Sequence, residues 1–244
     1  MKTKLLNRNF IKIIALVTML IDHVGYVLYG IAPYWLYFVL RCIGRISFPL
    51  FAYFVAEGFY YTKNKIKYFI TILIFALISQ LPYSLLFNGS TTMLNVLFTF
   101  LLSVVLMFTF DKLWRETFLE LKIAFVVIVF AMFTFVSILL PLLFDITFDY
   151  GFYGIMLTFA FYVFKFSKTE QIVSFVVLLI IYTLVNVIGT NITFYSFISI
   201  FSIFAIPFII LFNGEKGKLN LKYVFYWFYP IHIAILYIIN ILIK

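Results

Sequence analysis

The sequence predicts an all-α polytopic transmembrane helical bundle of about nine spans, with a cytoplasmic amino terminus. Three observations carry that prediction. The 244 residues are 66% hydrophobic and 23% aromatic, and the mean hydropathy is +1.15. A soluble domain has only about half its residues apolar. Long apolar runs follow one another along the whole chain, each near the roughly 20 residues that a bilayer core demands. The segments between them alternate between basic and non-basic.

The runs fall at 12–31, 34–61, 68–87, 94–110, 123–143, 150–166, 170–189, 194–212 and 223–243. The first is too long for the apolar core of a cleavable signal peptide, and more spans follow it. The second is long enough for its start, 33–38, to lie along the interface. The sixth is short. No internal repeat or low-complexity tail divides the chain, so 1–244 reads as one domain. Cys42 is the sole cysteine, which excludes an intrachain disulfide.

Charge gives the orientation. Lys2, Lys4, Arg8 and Lys12 precede or open the first run, and the next connection, 30–33, is uncharged. Lys63, Lys65 and Lys67 follow, then the neutral FNGSTT; Lys112, Arg115 and Lys122 follow, then a segment with only Asp145 and Asp149. Lys165 and Lys168 come next, then the neutral GTNIT, then Lys216, Lys218 and Lys222. Fifteen of the 18 basic residues thus fall on one side, which the positive-inside rule makes cytoplasmic. The net charge of +9 is then topology, with anionic lipid as the counter-ion, and calls for no nucleic acid. The sequons NGS at 88–90 and NIT at 191–193 fall in the outer loops, where chance matches are common. The aromatic run YVFYWFY at 223–229 reads as an interface belt.

Against this background six ionisable groups stand inside the spans: Asp22, His23, Arg41, Arg45, Glu57 and His232, with Gln80 as a further polar group. Each charge costs a few kcal/mol there even on lenient scales. At about 1.5 Å per residue, Asp22, His23 and His232 come to a similar depth, Gln80, Arg45 and Arg41 lie further out, and Glu57 lies near the cytoplasmic edge. Asp22 is expected to pair with Arg45 beside a wet cavity, and Arg41 to snorkel towards the outer head groups. Pro49, Pro82 and Pro230 are expected to kink their helices; Pro230 frees the Tyr226 carbonyl close to His232.

Two histidines, a carboxylate and an arginine suit proton abstraction and charge stabilisation. Two histidines without HExxH-type spacing argue against a metal site, and no nucleophile elbow, P-loop or GxGxxG is present. The cluster suits acyl transfer and proton-coupled transport equally.

Five segments add a resemblance: KIIALVTMLIDHVG, RCIGRISFPLFAYFVAEGFYYTKNKIKY, FALISQLPYSLLF with LNVLFTFLL, DYGFYGIML, and KYVFYWFYPIHIAILY. In this order, and over nearly the whole chain, they resemble the TraX family of integral membrane proteins, named for F-pilin acetylation. The resemblance implies a membrane-bound acetyltransferase of the bacterial cytoplasmic membrane. It would transfer acetyl from cytoplasmic acetyl-CoA to an amine or hydroxyl of an exported peptide, protein or glycan. Carried onto this sequence, the family motifs fall on Asp22, His23, Arg45, Glu57, Asn95, Asp149, Lys222, Tyr229 and His232. On this reading Asp22, His23, Arg45, Glu57 and His232 form the catalytic group, with either histidine as base. Lys63, Lys65, Lys67, Lys222 and Tyr229 hold acetyl-CoA; Arg41, Gln80, Asn95 and Asp149 line the acceptor site. No metal is expected. The alternative is a transporter or flippase using the same cavity, with Arg41 and Arg45 on an anionic substrate; a non-catalytic assembly factor is the third reading.

Overall fold

The computed structural model describes residues 6–87, 92–114, 117–189, 194–218 and 222–243. Both sequons, Lys2, Lys4, Arg115 and the side chain of Lys222 lie outside the described residues.

The chain folds as an all-α bundle. Seven helical segments are long and apolar enough to cross a membrane: Arg8–Val27, Tyr34–Tyr61, Lys65–Leu86, Val96–Trp114, Leu119–Phe144, Lys168–Ile188 and Tyr223–Ile243. The sixth and eighth apolar runs appear as shorter helices, Gly151–Val163 and Phe197–Leu211. In chain order the α-helices are α1 Arg8–Val27, α2 Tyr34–Gly44, α3 Ser47–Tyr61, α4 Lys65–Leu86, α5 Val96–Thr109, α6 Leu119–Thr134, α7 Leu140–Phe144, α8 Gly151–Val163, α9 Lys168–Gly189, α10 Ile206–Leu211 and α11 Lys222–Ile243. A 3-10 helix, Phe194–Ala205, leads into α10.

Local chemistry starts three of these helices. Asn7, Asn64 and Asn95 turn their side-chain carbonyls onto the backbone amides of Phe10 (3.0 Å), Lys67 (2.8 Å) and Leu97 (3.0 Å). Each satisfies an amide that the first helical turn would leave unbonded. The break between α2 and α3 follows from Pro49. Its missing N–H leaves the Arg45 carbonyl without its helical donor, and the backbone tightens there, with Ile46 N–H donating to the Ile43 carbonyl at 3.2 Å.

Packing orders the bundle. α1 lies against α2, α3 and α11; α4 against α5 and α11; α8 against α3, α5 and α9. One buried cluster fills the space among α3, α5 and α8 around Phe59, Phe161 and Leu106. A second, around Met19, Tyr83, Tyr229 and Ile233, joins α1, α4 and α11. α6 is apolar all round yet buries only Phe125, as a helix solvated by lipid does. Opposite the amino-terminal end of α1, the strands β1 (Met93–Leu94) and β2 (Thr147–Phe148) pair in parallel, Met93 with Thr147 and Leu94 with Phe148. Asp149 and Tyr150 follow at once, and Tyr150 takes a left-handed φ of 61°. That conformation strains a bulky side chain and collects at functional sites.

Candidate functional site

A cavity of about 580 Å³ runs inside the bundle. On α1 it meets Arg8, Lys12, Met19, Asp22, His23 and Tyr26; steps of three, four and seven, with Asp22 and His23 adjacent, spread them over one broad side of that helix. From Arg8 to Asp22 this face rises about 21 Å at 1.5 Å per residue. The cavity therefore has two ends. The end near the amino terminus of α1 carries Arg8, Lys12 and Lys216. Phe54 and Phe225 pack against the Lys12 ammonium at that end, and Phe51, Val55 and Ile72 add to the apolar lining. The far end carries Asp22, His23, Arg41, Arg45, Asp149 and Tyr150.

Asp22 and His23, neighbours on α1, point about 100° apart and do different things. Asp22 receives two arginines: Arg41 Nη1 on Oδ2 at 2.6 Å and Arg45 Nη2 on Oδ1 at 2.5 Å. Arg41 and Arg45 lie four apart, on one side of their helix. Arg41 is turned onto Asp22 and the Asp22 carbonyl (3.4 Å), which corrects the expectation that it snorkels outwards: the unmet second oxygen of Asp22 is the nearer partner. Gly44 makes this approach possible, since a methyl group there would overlap the Asp22 carboxylate. Arg45 also donates to the Tyr150 hydroxyl (3.3 Å) and to the Arg41 carbonyl (3.4 Å), so each of its three nitrogens is engaged.

His23 meets His232 instead. His23 Nδ1 lies 2.8 Å from His232 Nε2. The ring planes differ by 11° and the centroids stand 5.0 Å apart, so the two imidazoles meet edge to edge, nearly in one plane. His232 Nδ1 lies 2.6 Å from the Phe228 carbonyl. A carbonyl only accepts, so His232 Nδ1 carries a proton. With both rings neutral, His232 Nε2 accepts, His23 Nδ1 donates, and His23 Nε2 holds the free lone pair. His23 lines the cavity and His232 stands behind it. The histidine thus uses the Phe228 carbonyl rather than the Tyr226 carbonyl freed by Pro230.

Tyr229 and Asp149 also line the cavity. The Thr99 hydroxyl fixes the Asp149 backbone, donating to its carbonyl at 2.6 Å, and the Asp149 N–H donates to the Leu94 carbonyl at 2.9 Å. Phe48 stacks on Tyr150 with centroids 3.7 Å apart.

Other expected site residues stand elsewhere. Glu57 pairs with Arg8 at 3.0 Å and lines a separate cavity of about 160 Å³ with Lys165, Lys168 and Gln171; it does not join the histidines, because α3 carries it about three turns below Arg45. Gln80 and Asn95 bind each other. Asn95 Nδ2 donates to Gln80 Oε1 (2.9 Å) and to the Ala76 carbonyl (2.9 Å), and Gln80 Nε2 donates to the Met93 carbonyl (2.9 Å) and Ser84 (3.1 Å). Neither lines the cavity. Lys63 and Lys67 are exposed, and Lys65 donates to the Phe59 carbonyl at the end of α3. None of the three lines the cavity; Arg8, Lys12 and Lys216 do. The signal for Arg8 and Lys12 was available: counting back from Asp22 by helical steps reaches both.

Among the described residues, no group of three or more His, Cys, Asp or Glu could hold a metal ion. The profile of the TraX protein family matches residues 7–240. Among curated proteins, the chain is 27% identical over 245 residues to a probable fimbrial assembly protein FimC, serogroup H1, of Dichelobacter nodosus, covering 93% of this chain and 92% of that one. No solved structure matches.

Proposed function

This chain belongs to the TraX family, and from that premise we propose that it is an acetyl-CoA-dependent acetyltransferase acting on an exported protein subunit. One observation carries the reading: a single cavity joins a cationic end, Arg8, Lys12 and Lys216, to a histidine with a free lone pair. Acetyl-CoA has matching parts. Its phosphates suit the cations, its extended pantetheine arm suits the apolar lining, and its thioester then arrives beside His23. The basic segments make the cationic end cytoplasmic, where acetyl-CoA is made, in a bacterial cytoplasmic membrane. The fimbrial assembly role named for the relative supports a surface-fibre subunit as the acceptor.

In this mechanism His23 Nε2 takes a proton from the acceptor amine as the nitrogen attacks the thioester carbon. The carbonyl oxygen becomes an oxyanion. Its collapse breaks the C–S bond, and His23 returns the proton to the departing thiolate. The products are N-acetylated acceptor and CoA. His232, anchored on the Phe228 carbonyl, keeps the His23 lone pair turned to the cavity. General-base help of this kind contributes about 10²–10⁴ in rate.

The test is acetyl-CoA binding and, with a short peptide bearing a free amino terminus as acceptor, CoA release by purified protein, wild type beside His23→Ala. Saturable binding in both, with CoA release lost in the variant by at least about 10², is the expected result. A folded wild-type protein that binds no acetyl-CoA would overturn the reading and favour a transporter.

A further inference from the structure

The proposed transfer needs a donor for the oxyanion, and of the two arginines only Arg41 keeps a buried nitrogen, Nε, without a partner. Arg45 has all three nitrogens engaged. The carboxylate of Asp22 draws both arginines to one side of α1, about 100° around the helix from His23. The wall beside His23 is aromatic instead. Phe87 packs edge-on against His23, with centroids 5.7 Å apart, and against Tyr83 at 4.6 Å. Tyr83 comes from α4, lines the same cavity and is 2% exposed.

The cavity tyrosines differ in how their hydroxyls are used. Tyr68 donates to the Val55 carbonyl at 3.1 Å. Tyr150 accepts from Arg45. Tyr229 meets the Val96 backbone. The Tyr83 and Tyr226 hydroxyls make no hydrogen bond to any described residue; the Tyr226 ring is stacked on Phe75 at 4.9 Å, whereas the Tyr83 ring is held beside His23 by Phe87 on one side and by the second core cluster around it. Buried hydroxyls are nearly always paired, and each exception calls for an explanation. A fixed ring with an unspent O–H facing a cavity is prepared for an acceptor oxygen that arrives with a ligand.

We propose that the Tyr83 hydroxyl donates a hydrogen bond to the carbonyl oxygen of the bound thioester and holds the oxyanion formed when the acceptor attacks. This rests on the acetyl-transfer reading. Tyr83 keeps its own proton throughout; the proton that moves is the acceptor's, through His23. The hydrogen bond tightens as charge gathers on the oxygen, so it acts on the transition state more than on binding.

Tyr83→Phe tests this, since it removes an oxygen that has no partner among the described residues and leaves the packing in place. The probe is acetyl-CoA labelled with ¹³C at the acetyl carbonyl, read by isotope-edited infrared spectroscopy on the full chain in detergent. The bound wild-type carbonyl band is expected below its frequency in solution, and the shift is expected to vanish in Tyr83→Phe. CoA release should fall about 10²–10³-fold, the usual cost of one oxyanion donor, with the acetyl-CoA dissociation constant unchanged. An equal band in both proteins, or an equal rate, would overturn the role of Tyr83 while leaving acetyl transfer standing. Absence of acetyl-CoA binding in the wild type would overturn both.

Discussion

Two of the polar clusters within the bundle are built on opposite plans. Around Gln80 and Asn95, donors and acceptors meet one another: amide to amide, amide to the Ala76 and Met93 carbonyls, and Asn95 to the start of α5. Asn95 is fully buried and does not line the site cavity. Around Asp22 and His23 most groups are also paired, yet the cluster opens on a cavity, with the Arg41 Nε, a lone pair and a phenol to spare. Polarity inside a membrane therefore marks two things. One is backbone repair, here tying the β1 loop to α4; the other is a surface for chemistry. What separates them is whether the valences close.

The widest test of that difference is to break each cluster. Asp22→Asn leaves Arg41 and Arg45 facing a neutral amide. Removing one member of a buried charge group costs about 3–5 kcal/mol, and here two cations lose their counter-charge. We expect a large fall in the detergent unfolding temperature and loss of CoA release with it. Rescue of that temperature by pairing Asp22→Asn with Arg41→Gln would show that uncompensated charge is the cause. An unfolding temperature close to wild type in the single variant would show that the ion pairs are not structural.

Asn95→Ala is the matched break in the closed cluster. It removes the α5 cap and the donor to the Ala76 carbonyl, and leaves Gln80 Oε1 short of a partner. A cap and a buried hydrogen bond together come to about 1–3 kcal/mol. Unfolding temperature should fall, while acetyl-CoA affinity and CoA release per folded molecule stay at wild type. A selective loss of rate in a stably folded Asn95→Ala protein would place Asn95 in the site after all.

The sequence carried the fold class and the positions of the apolar runs, because roughly 20 apolar residues in a row leave a chain few other choices. It also carried Asp22, His23, Arg45 and His232, because each is too costly in lipid to be incidental. It could not tell Gln80, singled out by cost, and Asn95, singled out by the resemblance, from Asp149, since neither signal says whether a partner stands nearby. It placed Arg41 outside because snorkelling depends on reach, and the competing pull of Asp22 appears only once Gly44 brings α2 against α1. Tyr83 carried no cost signal: a tyrosine among 18 in an apolar chain looks like core. Its unspent hydroxyl is visible only when the neighbours of the ring are known.

The finest test separates lysines that orient the protein from lysines that touch the cavity. Lys12 lies with its ammonium 4.7 Å from the centre of the Phe225 ring and 5.5 Å from that of Phe54, at the cationic end of the cavity. Lys63 is exposed and outside it. Both sit in segments that the positive-inside rule reads alike. If Lys12 meets a phosphate of acetyl-CoA, Lys12→Ala should weaken binding about tenfold, the equivalent of roughly 1.4 kcal/mol, and more so at low salt. Lys63→Ala should leave affinity unchanged and act, if at all, on membrane orientation. Calorimetric titration of acetyl-CoA into each variant reads the difference. Equal weakening by both would mean that a diffuse positive field gathers the donor; weakening by Lys63→Ala alone would move the donor's entry to the start of α4, away from the face of α1 that leads to His23.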